Sequence, residues 1–310
     1  MIIDFHTHIF PPKIREERED YLRRDHAFAA LYSQPEARIA TAEELLASME
    51  AAEIDRSVAL GFAWSAPELC ARHNDYLLEW GVRSGGRLIP FCTIQPREED
   101  EALREGERCA RAGAKGLGEL RPEDQGYDLA GPGGPSHYVG ALAQAGGLSE
   151  VGPQAWVGGL TKEGSLLAYL ADRLRLVLLF HVSEPVGHSY CGKGGLRLED
   201  LWAFLVAHPE TSVVAAHWGG GLLFYSLMPE VKETLRNTYF DTAASGLLYR
   251  DEIFQRASDL VGPERILLGS DFPLLTQGRQ VRRVRESIPG EETQKLILGE
   301  NARRLLDLAR

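Results

Sequence analysis

Short apolar runs alternate with amphipathic segments along most of the chain. The first run, Met1 to Phe10, carries His6-Thr7-His8 near its end and stops at Pro11-Pro12. Thr41-Ala42-Glu43-Glu44 has the composition of a capping box, and Leu45, Leu46, Met49 and Ala52 follow at helical spacing, which predicts the first crossover helix. Strands are expected at 57–62, 88–94 and 114–120, with helices at 67–83 and 98–112 between them. The near-continuous apolar run 174–182 reads as a strand covered on both faces, and 212–217, 238–241 and 265–271 as three more. Helices are expected at 165–173, 198–207, 222–235 and 251–261 and in the tail. Eight strands alternating with helices call for parallel βαβ units, so the expected class is α/β and the expected fold a (β/α)8 TIM barrel. An open doubly wound sheet is the alternative, but the first strand is not followed by a G-x-G-x-x-G dinucleotide turn.

Two segments break the rhythm. The charged stretch Arg15 to His26 is a solvated face or, alternatively, a loop or short helix over the barrel mouth. The second, 121–164, is crowded with Gly and Pro and is too long for an ordinary connection. It reads as an insertion, either a surface excursion or a cover over the barrel mouth, with a short helix at 141–145 and a packing segment at 154–157. With no domain-length linker and no internal repeat, residues 1–310 are expected to form one barrel domain carrying this insertion.

Composition narrows the function classes. A formal charge of -11 argues against a nucleic-acid surface, although a local basic pocket for an anionic small molecule remains compatible with it. No apolar run is long enough to span a membrane and the N-terminus lacks a signal-like pattern, so a cytoplasmic protein acting on a small molecule is expected, with a homodimer an allowed assembly. Cys70, Cys92, Cys109 and Cys191 are dispersed and read as reduced thiols.

The chemistry is concentrated at strand ends. His6 and His8, two residues apart, share one strand face. Alone, such a pair carries little weight. Glu119 then ends the fourth expected strand, His181 the fifth, His217 the sixth and Asp271 the eighth. Six potential ligands at the C-terminal ends of barrel strands coincide with the face where barrel active sites are built. Nitrogen and carboxylate donors of this kind suit zinc, manganese or iron. A lone histidine on a strand is ordinarily a satisfied core residue, and it is the register of all six that points to a metal.

His6-Thr7-His8, His181, His217 and Gly269-Ser270-Asp271-Phe272-Pro273 resemble the signature of the amidohydrolase superfamily. The stretches 115–120 and 216–220 and the tail 297–306 resemble its amidohydrolase-2 branch, which includes aminocarboxymuconate semialdehyde decarboxylase and other nonoxidative decarboxylases alongside hydrolases. The resemblance covers the chain outside 121–164 and implies His6, His8, His181 and Asp271 as ligands of one divalent metal, zinc being expected and manganese or iron the alternatives. It implies His217 as an acid/base or electrostatic residue beside that metal. In binuclear relatives His217 would be a ligand and Glu119 a bridge; Lys115 lies too deep to replace Glu119.

Such a centre activates water and polarises a carbonyl, with Asp271 moving the proton and His217 stabilising the oxyanion. Hydrolysis of a small amide, lactone or ester is therefore the leading expectation. Nonoxidative decarboxylation of an unsaturated or aromatic acid is the runner-up, and a non-catalytic metal-binding barrel the third reading. Around the site, Arg121 could pair with a substrate carboxylate or form a rim salt bridge. His188, Tyr190 and Lys193 lie in the loop after the fifth strand as candidate substrate contacts, Trp218 would stack on substrate or plug the rim, and Asp241 would orient His217 or a neighbouring helix. His26, His73, His137 and His208 read as surface or structural residues.

Overall fold

The computed structural model describes residues 1–131 and 160–308. Its eight strands are β1 Ile3–His8, β2 Arg56–Leu60, β3 Leu88–Cys92, β4 Gly116–Leu120, β5 Val177–Phe180, β6 Val213–Ala215, β7 Thr238–Asp241 and β8 Ile266–Leu267. They lie in one parallel sheet in sequence order. Backbone bonds from Phe5 N–H to the Leu268 carbonyl (2.6 Å), Asp271 N–H to His6 (2.9 Å) and His8 N–H to Phe272 (2.7 Å) carry the last strand onto the first. The result is a (β/α)8 TIM barrel.

Its core has two layers. Ile3, Phe5, Val58, Phe91, Leu179 and Val214 fill one buried cluster together with Ala302 and Leu306 of the C-terminal segment. A larger cluster joins the other strand face to the helices through residues such as Leu117, Phe180, Leu77 and Leu167. Strand register shifts between Asp4 and Thr7 in β1 and between Leu117 and Leu120 in β4. Such irregularities re-aim side chains, and both precede or contain residues that reach the barrel mouth.

The expected helices at 67–83 and 198–207 are present with those bounds, and Thr41 and Glu44 form a complete capping box on Ala42–Ala51. Several expectations are corrected. The charged segment follows its helical alternative and not the solvated face, folding with the residues around it as three short helices, Pro12–Glu16, Arg18–Arg24 and His26–Tyr32, the last capped by the buried Asp25. The helix expected at 165–173 begins earlier, at Lys162, because the Thr161 hydroxyl accepts from Gly164 N–H, and it ends at Leu174, which shortens β5. The single helix expected at 222–235 is instead a 3-10 segment, His217–Leu227, followed by Pro229–Thr234. A run of left-handed residues, His217 to Gly221, breaks it. Gly219 within that run sits where a Cβ would approach the Phe240 ring at 2.7 Å. Strand β8 is only Ile266–Leu267, so Asp271 stands beyond it, with a left-handed φ of 64°. Part of the expected insertion is described: the helix Pro122–Gln125 and an Ala130–Leu160 bridge. The readings at 141–145 and 154–157 lie outside the described residues, as does His137. Among the described residues no helix is long and apolar enough to cross a membrane.

His73 is structural. Its Nε2–H donates to the Ile9 carbonyl (2.7 Å), while Nδ1 accepts from Phe62 N–H (3.3 Å) and Trp64 Nε1–H (3.1 Å). Burial lowers its pKa to about 4, and protonation would set N–H against two N–H donors. Because the unfolded chain takes up this proton first, the contribution is complete above the ordinary pKa of 6.5 and is lost as pH falls towards 4. Denaturant titrations should show about 3 kcal/mol of pH-dependent stability in that window that His73→Gln lacks.

Candidate metal centre

Six side chains meet at the C-terminal mouth of the barrel. His6 Nε2 lies 3.1 Å from His8 Nε2, and Asp271 Oδ1 lies 3.7 and 3.6 Å from the same two nitrogens. Opposite them, His181 Nδ1 and His217 Nε2 are 3.2 Å apart. Glu119 stands between the groups. Its Oε1 is 2.9 Å from His181 Nδ1, 3.5 Å from His217 Nε2 and 3.7 Å from His6 Nε2, while Oε2 is 3.7 Å from His8 Nε2. Donors about 2.0–2.1 Å from one tetrahedral ion sit roughly 3.4 Å from one another, close to these separations. The donors thus form two groups that share Glu119: His6 and His8 with Glu119, and His181 and His217 with Glu119.

Hydrogen bonds on the far side of three rings leave a lone pair facing the cluster. His6 Nδ1–H donates to Asp241 Oδ2 (2.7 Å), His217 Nδ1–H to the Ala243 carbonyl (3.3 Å) and His181 Nε2–H to Ser183 Oγ (3.0 Å). Imidazoles tied back in this way are fixed in tautomer and orientation for a cation. The donor set therefore fits a divalent metal. Electrostatics agree. Burial and the neighbouring Arg121 push the His181 pKa down to about 3, and burial also lowers that of His8, keeping both rings neutral. His6 differs: burial opposes charge on it, but Asp241, Glu119 and Asp271 outweigh it and raise its pKa to about 10, so this ring favours a second proton at the position where a cation would bind, and the two compete. Burial would raise Glu119, yet the histidines hold it well below the carboxylate range, so a full negative charge sits at the centre.

The supporting residues come from distant strands. Asp241, at the end of β7, is fully buried; its Oδ1 accepts from His217 N–H (2.9 Å) and Ala243 N–H (3.0 Å) while Oδ2 holds His6. It orients His6 as well as the backbone of His217. Asp4 accepts from Ser270 and Gln277, and burial raises its pKa to about 6. Through Ser270 it fixes the turn that presents Asp271. The alternation of β1 gives no hint of that role for Asp4, and Ser183 has no sequence signal at all.

These donors open into a cavity of about 680 Å³ that Tyr32, Phe62, Arg121 and Tyr190 also line. Arg121 is buried, paired with Asp124, and donates from Nη2 to the Gly192 carbonyl (2.7 Å). His188 and Tyr190 border the cavity as expected from their loop. Lys193 is placed otherwise: its Nζ donates to the carbonyls of Val186 (2.7 Å) and His188 (2.9 Å), and it borders an adjoining chamber. Trp218 is corrected as a stacking platform. It is fully buried, donates from Nε1 to Ser245 Oγ (2.7 Å) and packs edge-on against Phe254, because its left-handed backbone turns the ring into the core.

The family model described as amidohydrolase matches residues 3–308. The chain belongs to the amidohydrolase family. It is thus an enzyme of the superfamily that its strand-end histidines indicate. Among solved structures, 5-carboxyvanillate decarboxylase from Sphingomonas paucimobilis superposes with a TM-score of 0.71 at 15% identity, covering 99% of each chain. A dihydroxybenzoic acid decarboxylase from Polaromonas sp. JS666, with bound manganese and the inhibitor 2-nitroresorcinol, gives 0.67 at 17% identity over 100% of this chain and 97% of that one. A probable 2-pyrone-4,6-dicarboxylic acid hydrolase from Acinetobacter baumannii, with citric acid bound, gives 0.62 at 16% identity over 99% of each. At these identities the likeness concerns the fold of this amidohydrolase. No curated protein matches the sequence significantly.

Proposed function

We propose that this amidohydrolase is a metal-dependent, nonoxidative decarboxylase of an aromatic or unsaturated carboxylic acid. One observation carries the reading: the donors face a cavity walled by Tyr32, Phe62 and Tyr190, with the buried guanidinium of Arg121 beside His181. Aromatic walls and a fixed cation suit a planar anion, and Arg121 Nη1 has no partner among the described residues. The two decarboxylases of the same fold act on aromatic acids according to their names. This reverses the order of the two sequence readings.

When bound, a divalent ion supplies a Lewis-acidic centre that draws in the oxygens of an acid. His6, His8 and Asp271 would hold it together with Glu119, which takes the place that the resemblance gave to His181, while His181 and His217 form a second group around Glu119. Zinc, manganese and iron all suit these donors. Tyr32 and Phe62 flank the planar substrate, and Arg121 binds one carboxylate oxygen through Nη1. Asp271, its side chain 13% exposed at the cavity floor, delivers a proton to the carbon that bears the carboxylate. The bond from that carbon to the carboxyl carbon then breaks, its electron pair restores the unsaturated system, and carbon dioxide leaves. Solvent reprotonates Asp271.

A second reading, hydrolysis of a lactone, ester or amide, rests on Asp271 and His217 lying on one cavity, where the first could take a proton from water and the second stabilise an oxyanion. The solved pyrone dicarboxylic acid hydrolase supports it through the shared fold. A panel of hydroxybenzoic acids and lactones, followed for carbon dioxide release and ring opening on metal-loaded enzyme, separates the two. Release of carbon dioxide from at least one acid is expected. Turnover confined to lactones or esters would sink the decarboxylase reading.

A further inference from the structure

Beside the metal cavity lies a second chamber of about 410 Å³, enclosed by the loop after β5, the 3-10 segment after β6 and the residues following β7. His188, Tyr190 and Leu248 border both spaces and form the partition between them. On its far side the chamber is faced by Phe224, Tyr225 and Tyr249, the first and last with ring centroids 6.2 Å apart. Phe224 is 41% and Tyr225 53% exposed, so both rings offer apolar surface to a ligand in this space. The left-handed run ends at Gly221, which lines the chamber within van der Waals reach of Phe224 and the Tyr249 hydroxyl.

We infer that this chamber is a substrate subsite for an uncharged aromatic arm attached to the acid that the metal cavity holds. The inference rests on the decarboxylase reading for the acid end of the ligand, but the chamber stands on its own geometry. The two spaces share the walls formed by His188, Tyr190 and Leu248, so they lie side by side, and the proposed arm belongs to the same molecule because it reaches from one to the other across these three side chains. Its neutrality follows from the two charged groups present, the Glu184 carboxylate and the Lys193 ammonium, which offset one another. Lys193 is moreover engaged by two loop carbonyls and lies 5.8 Å from the Tyr190 ring centroid, so it shapes the wall and leaves the rings to make the contact. Both spaces fall in the range of about 300–1,000 Å³ usual for ligand sites.

Four probes titrated calorimetrically into metal-loaded protein test this: benzoate, 3-phenylbenzoate, benzamide and 3-phenylbenzamide. The second ring should tighten binding at least tenfold in each pair. Leu198→Trp, which fills the chamber from its wall, should abolish that gain while leaving benzoate affinity within twofold of wild type. Phe224→Ala, which removes one ring from an exposed position, should reduce the gain several-fold. Equal affinity of the one-ring and two-ring members of both pairs would overturn the subsite, as would a gain that survives both substitutions. Loss of the preference for carboxylate over amide, with the ring gain intact, would instead sink the acid reading and leave the chamber assigned.

Discussion

Asp271→Asn is expected to lower kcat by about 10³-fold, within the range that general acid–base catalysis contributes. The asparagine keeps the shape and can still offer an oxygen to the cluster, but it cannot give up or accept a proton. Asp271 Oδ1 lies within 3.7 Å of both His6 and His8 Nε2, and its side chain borders the cavity, so it joins the donor pair on β1 to the substrate space from the β8 side. The turn that holds it is anchored independently of the carboxylate, by Asp271 N–H to the His6 carbonyl (2.9 Å) and by Ser270 to Asp4. The variant should therefore keep the circular dichroism spectrum of the wild type. A kcat within tenfold of wild type would remove Asp271 from the chemistry.

The second large effect concerns a residue that touches no substrate. Asp241→Asn should weaken divalent metal binding about 10- to 100-fold, as loss of outer partners of ligating histidines does. Asp241 spends one oxygen on His6 Nδ1–H and the other on two backbone N–H groups, and all of it is buried. An asparagine can accept from only one side, leaving either the His6 ring or the His217 backbone facing an amide N–H. Competition with a chromophoric chelator measures the change directly. Unaltered affinity would show that the ring orientations do not depend on this carboxylate. Asp241→Ala should be harsher, because removing one partner of a buried pair costs about 3–5 kcal/mol of stability.

Much of this architecture was legible from pattern. Buried parallel strands are apolar on both faces, so β3, β5 and β6 stand out as runs, and β7 matches its expected bounds. The six donors were legible for a related reason: strand ends are where an apolar run gives way to a polar residue, and His181 and His217 do so visibly. Their division into two groups around a shared Glu119 corresponds to the alternative that the resemblance implied for binuclear relatives, and the strand pattern alone gave no sign of it. Which donor faces which depends on barrel curvature and on the register shifts in β1 and β4, neither of which leaves a local signature. The 3-10 segment after β6 defeated periodicity because consecutive left-handed residues depend on Gly219–Gly221 and on the close approach of Phe240. The same turn decides between the two readings of Trp218, burying the ring as a plug instead of exposing it to substrate. Asp4, Asp241 and Ser183 act through partners on other strands or loops, and only the closed barrel brings them together.

The most direct test of the central claim is the metal content of the purified chain, measured by elemental analysis after dialysis against zinc or manganese. The wild type should retain at least one divalent ion per chain, and His6→Ala/His8→Ala should lose it while remaining folded. A folded wild type that retains no divalent ion, or a double variant that retains as much as the wild type, would contradict the assignment of these strand ends as a metal centre.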